Sequence, residues 1–226
     1  MRRLLVLSLL AAACAVAAAP AYATNECRGL MVCVPVAGPW VLASPGQVQF
    51  QLACPKRFVV GGLDAELSSR GIDVGFVGNL GSPVNPGITT SKEAVFLGRL
   101  ARGRDPAASF RPHIGCVPAS GGGQRTPTAY HAFAPGKPSV RHVTQITVRP
   151  GQLRHYVGRC ARNERLVAAT HAIGFFGNAP PSASLAGSVH VTQRIAAGHV
   201  KLTIRSGRAI AGSRAVVQLD LVCAPK

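Results

Sequence analysis

Apolar and polar residues alternate from Gln47 to Cys54, with Val48, Phe50 and Leu52 on one face and Gln47, Gln49 and Gln51 on the other. Successive side chains of a strand point to opposite faces, so this segment predicts a half-buried strand with its glutamines outward. Val200, Leu202 and Ile204 alternate in the same way with Lys201, Thr203 and Arg205. In the last segment Ala215, Val217, Leu219, Leu221 and Cys223 share one face, and Val216, Gln218, Asp220 and Val222 share the other. Shorter apolar runs predict strands over 32–36, 58–60, 72–76, 94–97, 140–148, 153–158, 166–176 and 189–195. Turn chemistry separates them: Gly61-Gly62, the stretch from Asn79 to Pro86, Gly103 to Pro106, Pro180-Pro181 and Gly207. No helical stripe of useful length occurs, and Gly98, Gly103 and Pro106 oppose a short helix over 97–108.

The cysteines frame two segments of nearly equal length, Cys54 to Cys116 and Cys160 to Cys223. Pro45-Gly46-Gln47 precedes the first segment and Pro150-Gly151-Gln152 the second. Each also carries an aromatic-Gly-Asn step, through Phe76, Gly78 and Asn79 and through Phe176, Gly177 and Asn178. This repetition selects the pairs Cys54–Cys116 and Cys160–Cys223 from the fifteen pairings open to six cysteines, and leaves Cys27–Cys33 as a local bridge. Each long bridge closes a loop worth up to about 4 kcal/mol on the chain-entropy model. The expected architecture is all-β, with two tandem disulfide-stabilised β-sandwich-like domains related by internal duplication. The expected divisions are a first domain over 24–119, a Gly/Pro-rich linker over 120–136 and a second domain over 137–226. Trp40 precedes the long cysteine pair, so the immunoglobulin Cys–Trp–Cys order is absent.

Residues 1–23 read as a signal peptide, with basic Arg2-Arg3, an apolar run and small residues at Ala21 and Ala23. A lipid anchor at Cys14 is the minor alternative, weakened by Ala11 where a large aliphatic residue is usual. An even cysteine count after that segment fits an extracytoplasmic, oxidising location. No later run is long enough for a transmembrane helix.

The formal net charge is +17, and it is uneven. Glu164 and Asp220 are the only acids after residue 120, against fourteen Lys and Arg. Six of the seven histidines also lie there. The candidate anion-binding residues are Arg141, Arg149, Arg154, Arg159, Arg162, Arg165, Arg194, Lys201, Arg205, Arg208 and Arg214. Their summed field attracts anionic envelope polymers or lipid surfaces, and guanidinium forks suit phosphate and sulfate. Tyr130, Phe133, Tyr156, Phe175 and Phe176 are too sparse for a single-strand stacking platform, and no basic helix suggests sequence-specific nucleic-acid reading.

Hydrolase elbows, zincin motifs and phosphate loops are missing. No catalytic residue, cofactor or metal ion is assigned. The expected role is a non-catalytic secreted or envelope-associated protein. One rival is a wall or polysaccharide hydrolase using Asp64, Glu66 and Asp73, or a histidine cluster around His142, His171 and His190. The other is a structural protein without a dedicated ligand.

Overall fold

A computed structural model describes residues 24–78, 92–103, 105–119 and 139–226. The expected signal peptide over 1–23, the expected linker over 120–136, Asn79 to Pro86, Tyr130 and Phe133 lie outside the described residues. The strands are β1 (Val34–Ala37), β2 (Trp40–Leu42), β3 (Val48–Ala53), β4 (Phe58–Leu67), β5 (Ile72–Gly78), β6 (Glu93–Leu100), β7 (Ser109–Pro118), β8 (Val140–Val148), β9 (Leu153–Arg159), β10 (Glu164–Phe176), β11 (Val189–Ala196), β12 (His199–Ser206) and β13 (Arg214–Pro225). A single-turn helix α1 (Ala183–Ala186), capped by Ser182, precedes β11.

A seven-stranded antiparallel sheet crosses the whole chain. β7 pairs with β4 along one edge and with β1 and β2 along the other. β2 then pairs with β10 through Val41–Gly174 and Trp40–Phe175, and the sheet continues through β13 to β8. Two three-stranded sheets, β3-β6-β5 and β11-β12-β9, complete the fold.

The expectation of two tandem β-sandwich domains is therefore corrected. The molecule is one all-β domain whose largest sheet takes strands from both halves. β2 is the reason. It has only three residues, with Trp40 and Val41 3% and 0% exposed, and both its edges are hydrogen-bonded, to β7 and to β10. The two cores follow the same sharing. Ala172 of β10 belongs to the core beneath β3 and β6, and Leu42 of β2 packs against the core beneath β12.

The outward assignment of the β3 glutamines is corrected too. The inward face of β13 expected from sequence does pack beneath β12, through Val217, Leu219 and Leu221. Its other face, which carries Gln218 and Asp220, meets β3. The Gln51 N–H donates to Gln218 Oε1 at 2.6 Å, and Gln218 Nε2 donates to the Gln51 carbonyl at 3.0 Å. A side-chain amide thus stands in for a neighbouring strand. Beside it, Arg141 on β8 pairs with Asp220 and donates to Gln49 Oε1 at 2.8 Å. An alternating pattern cannot distinguish water from a polar protein face.

The three expected disulfides, Cys27–Cys33, Cys54–Cys116 and Cys160–Cys223, are formed. Each long one ties the residue just after a small-sheet strand, β3 or β9, to the large sheet at β7 or β13. The double glycine marks a bulge in β4, where the register with β7 shifts between Val60 and Gly62. The chain itself covers the bare backbone there. A Cβ on Gly62 or Gly115 would lie 1.7 or 2.1 Å from the Glu26 carbonyl oxygen, so only glycine allows the N-terminal loop to seat.

Gln218→Leu leaves the Gln51 N–H and carbonyl without their partner. It should lower unfolding stability by about 2–3 kcal/mol in urea titrations. Gln218→Glu, which sets an unpaired carboxylate against the Gln51 carbonyl and beside Asp220, should cost at least as much near neutral pH.

Candidate anion-binding site

Strand parity builds the site. On β12, Val200, Leu202 and Ile204 are 0–2% exposed and face the core, so Lys201, Thr203 and Arg205 face out. Residues directly opposite on paired strands share a face. Register places Lys201 between Arg194 on β11 and Val157 on β9. It places Arg205 between His190 and Leu153, Thr203 between Thr192 and His155, and His199 between Ala196 and Arg159. Four cations and three imidazoles therefore occupy one face, and no carboxylate stands among them. From His199 to Arg205 the strand rises about 20 Å. Lys201 and Arg194 lie directly opposite, an unfavourable like-charge pairing that an anion laid between them relieves.

At the Arg159–His199 end the face runs into an open cleft of about 600 Å³, lined in part by Arg159, Arg162, Arg165, Glu164, His199 and Lys226. The β9–β10 turn supplies Arg162, and Lys226 is held by its Nζ donating to the Arg162 carbonyl at 2.9 Å. The acidic side chain in this cleft is already engaged. Glu164 Oε2 accepts from the Ala161 N–H at 3.0 Å and contacts His142 Nε2 at 2.8 Å. These contacts, the Ala161 backbone first and His142 second, hold its pKa below the ordinary value. The ion pairs of Glu26, Glu66, Asp73, Glu164 and Asp220 involve none of Arg159, Arg162, Arg165, Arg194, Lys201 or Arg205.

The remaining candidates divide. Arg149 and Arg208 are exposed on turns at the Arg205 end, where the Gly151 N–H donates to the Gly207 carbonyl. Arg154 is exposed and reaches the Thr147 carbonyl at 3.4 Å. Arg214 lies over the Phe176 ring at 4.3 Å. Arg141 is internal, with its side chain 12% exposed and committed to Asp220 and Gln49. Sequence reading missed His199 and Lys226. The only signal for His199 was its parity with Lys201 and Arg205.

The hydrolase candidates do not converge. Asp64 and Glu66 share a face of β4, but Asp64 accepts from the Asn25 N–H at 2.6 Å and Glu66 contacts His113 Nε2 at 2.8 Å. Glu26 approaches the other ring nitrogen of His113 at 3.7 Å, so both carboxylates are committed to one largely buried imidazole. Asp73 is in the β3-β6-β5 sheet, exposed and paired with Arg99. His142 and His190 share the sequence His-Val-Thr-Gln, yet their strands, β8 and β11, belong to different sheets. His171 instead contacts Gln193 Oε1 at 2.8 Å. No helix among the described residues is long and apolar enough to cross a membrane.

No known protein family, curated protein or solved structure matches the chain.

Burial raises the pKa of Asp220, and Arg141 opposes that rise. Arg141→Met should therefore lower stability by about 3 kcal/mol near neutral pH by stranding a buried carboxylate. Without the arginine, the folded-state pKa of Asp220 climbs further above its unfolded value. The stability deficit should therefore shrink as pH falls and the carboxyl takes up its proton. Urea unfolding of both proteins across pH measures this, and anion affinity should stay unchanged.

Proposed function

We propose that the protein is a non-catalytic, extracytoplasmic binder of an extended anionic polymer, held along the outer face of β9, β12 and β11 and into the adjoining basic cleft. One observation carries this reading. Cross-strand register stacks Arg194, Lys201, Arg205 and Arg159 on a single exposed face with no carboxylate among them. A track about 20 Å long suits a repeating chain of phosphate, sulfate or carboxylate groups better than a small ion. Three disulfides favour an oxidising compartment. The sparse aromatic content disfavours base stacking, so charge spacing rather than base sequence would govern selection.

The test is titration of the full chain with a poly(glycerol phosphate), anionic vesicles and duplex DNA at about 50 and about 300 mM salt. The polymer should bind at low salt and weaken steeply at high salt. Replacing Arg194, Lys201 and Arg205 together by glutamine should reduce its affinity by about tenfold or more and flatten the salt dependence. Arg70→Gln with Arg102→Gln, both on the first half, should leave it unchanged. Absence of binding at low salt, or equal binding by the triple variant, would overturn the reading.

A further inference from the structure

β8, β13 and β10 are neighbours in the large sheet, and their register gathers chemistry at one end of it. His142 pairs with Leu221, and Glu164 pairs with Pro225. Cys223 is two residues from each of those partners, so all three side chains leave the same face of the sheet. His142 Nε2, Glu164 Oε2 and Cys223 Sγ lie within 4.8 Å of one another. Cys160 is a fourth donor, carried there by its bond to Cys223. The side chains of Glu164 and His142 are 14% and 41% exposed, and Glu164 and Cys160 line the basic cleft, so solvent reaches the cluster.

We propose that reduction of Cys160–Cys223 opens a zinc site formed by the two cysteine thiolates, His142 Nε2 and Glu164 Oε2. With the bridge intact, the sulfurs are bonded to each other and the site is closed. A dithiol reductant supplies two electrons and two protons; the S–S bond breaks, two thiols form, and the reductant leaves as its own disulfide. Zn²⁺ then displaces both thiol protons to solvent and binds His142 through Nε2 as neutral imidazole, its one ring proton on Nδ1. Two sulfurs, one imidazole and one carboxylate are a donor set that suits tetrahedral zinc. Bonds of about 2.0–2.3 Å to zinc put neighbouring ligand atoms about 3.3–3.8 Å apart. His142 Nε2 and Glu164 Oε2 are 2.8 Å apart and both lie within 4.8 Å of Cys223 Sγ, so small side-chain shifts reach that spacing. The Ala161 N–H already orients Glu164 and would serve as its outer support. The bound ion and its ligands carry a net negative charge, which Arg159, Arg162 and Arg165 around the cleft favour. Among the described residues no other trio of histidine, cysteine and acidic groups converges this closely.

The experiment uses the full chain with Zn²⁺, and with Co²⁺ as its coloured substitute. After reduction with a phosphine, which does not hold the metal, the chain should bind one tightly held Zn²⁺ against a colorimetric chelator. The oxidised chain should bind none. Co²⁺ should give the absorption of tetrahedral thiolate ligation. His142→Ala and Glu164→Gln should each weaken binding at least about tenfold, a loss that even outer partners of a bound metal can produce. Replacing Cys27 and Cys33 together by serine should leave binding intact.

A second measurement separates the folded site from loose thiols. In a glutathione redox buffer with the free Zn²⁺ concentration and the buffer potential held fixed, alkylation and mass spectrometry read the fraction of Cys160 and Cys223 reduced. Zn²⁺ should raise that fraction in the native sequence and leave it unmoved in His142→Ala. Zinc binding that survives both ligand substitutions, or a reduced fraction indifferent to Zn²⁺, would overturn the site.

Discussion

β3 has six residues and one hydrogen-bonded strand neighbour, β6. Its other edge lies inside the molecule, where an unpaired N–H and carbonyl would each cost about 1–3 kcal/mol. Gln218 removes that cost with one side-chain amide. The same contact fixes which face of β13 turns toward the first half of the chain. The opposite face, Ala215 to Cys223, is then free to form the core beneath β12. Arg141 and Asp220 hold the junction beside it, and β2 closes the large sheet across the two halves. One amide therefore joins a strand of one small sheet to the large sheet between the two cores.

The surface charge follows from that arrangement. Of the two acids after residue 120, Asp220 is buried at the junction against Arg141, and Glu164 is bound by Ala161 and His142. Neither offsets the exposed arginines. The outer face of β12 is thus more one-sided in charge than composition alone indicates. Long-range attraction depends on the charges that remain in solvent.

Much of the strand content was legible in the sequence, because half-buried strands alternate. Val48, Phe50 and Leu52, then Val200, Leu202 and Ile204, were assigned to their inner faces, and the cysteine spacing selected the three bridges. The glutamine face of β3 was misread because polar contact with protein and polar contact with water leave the same pattern. The shared sheet was hidden for a related reason. Trp40 and Val41 form too short a run to announce that both edges of β2 are used. The site was half legible: parity placed Lys201 with Arg205, whereas bringing Arg194, His190 and Arg159 beside them required the register. Glu164 reaching His142 depends on three strands pairing, with partners from His142 to Pro225, which no local pattern records.

Gln51 and Gln218 are separated by 167 residues. Their contact forms only after the last strand of the chain exists, so the first half must wait with an edge of β3 and an edge of β2 uncovered. Exposed strand edges recruit other chains, and non-local pairing is slow because loop closure precedes the reward. A chain stopped short of β13 would therefore be adhesive rather than merely incomplete, and successful folding becomes a race between the arrival of a single glutamine and the nearest foreign strand.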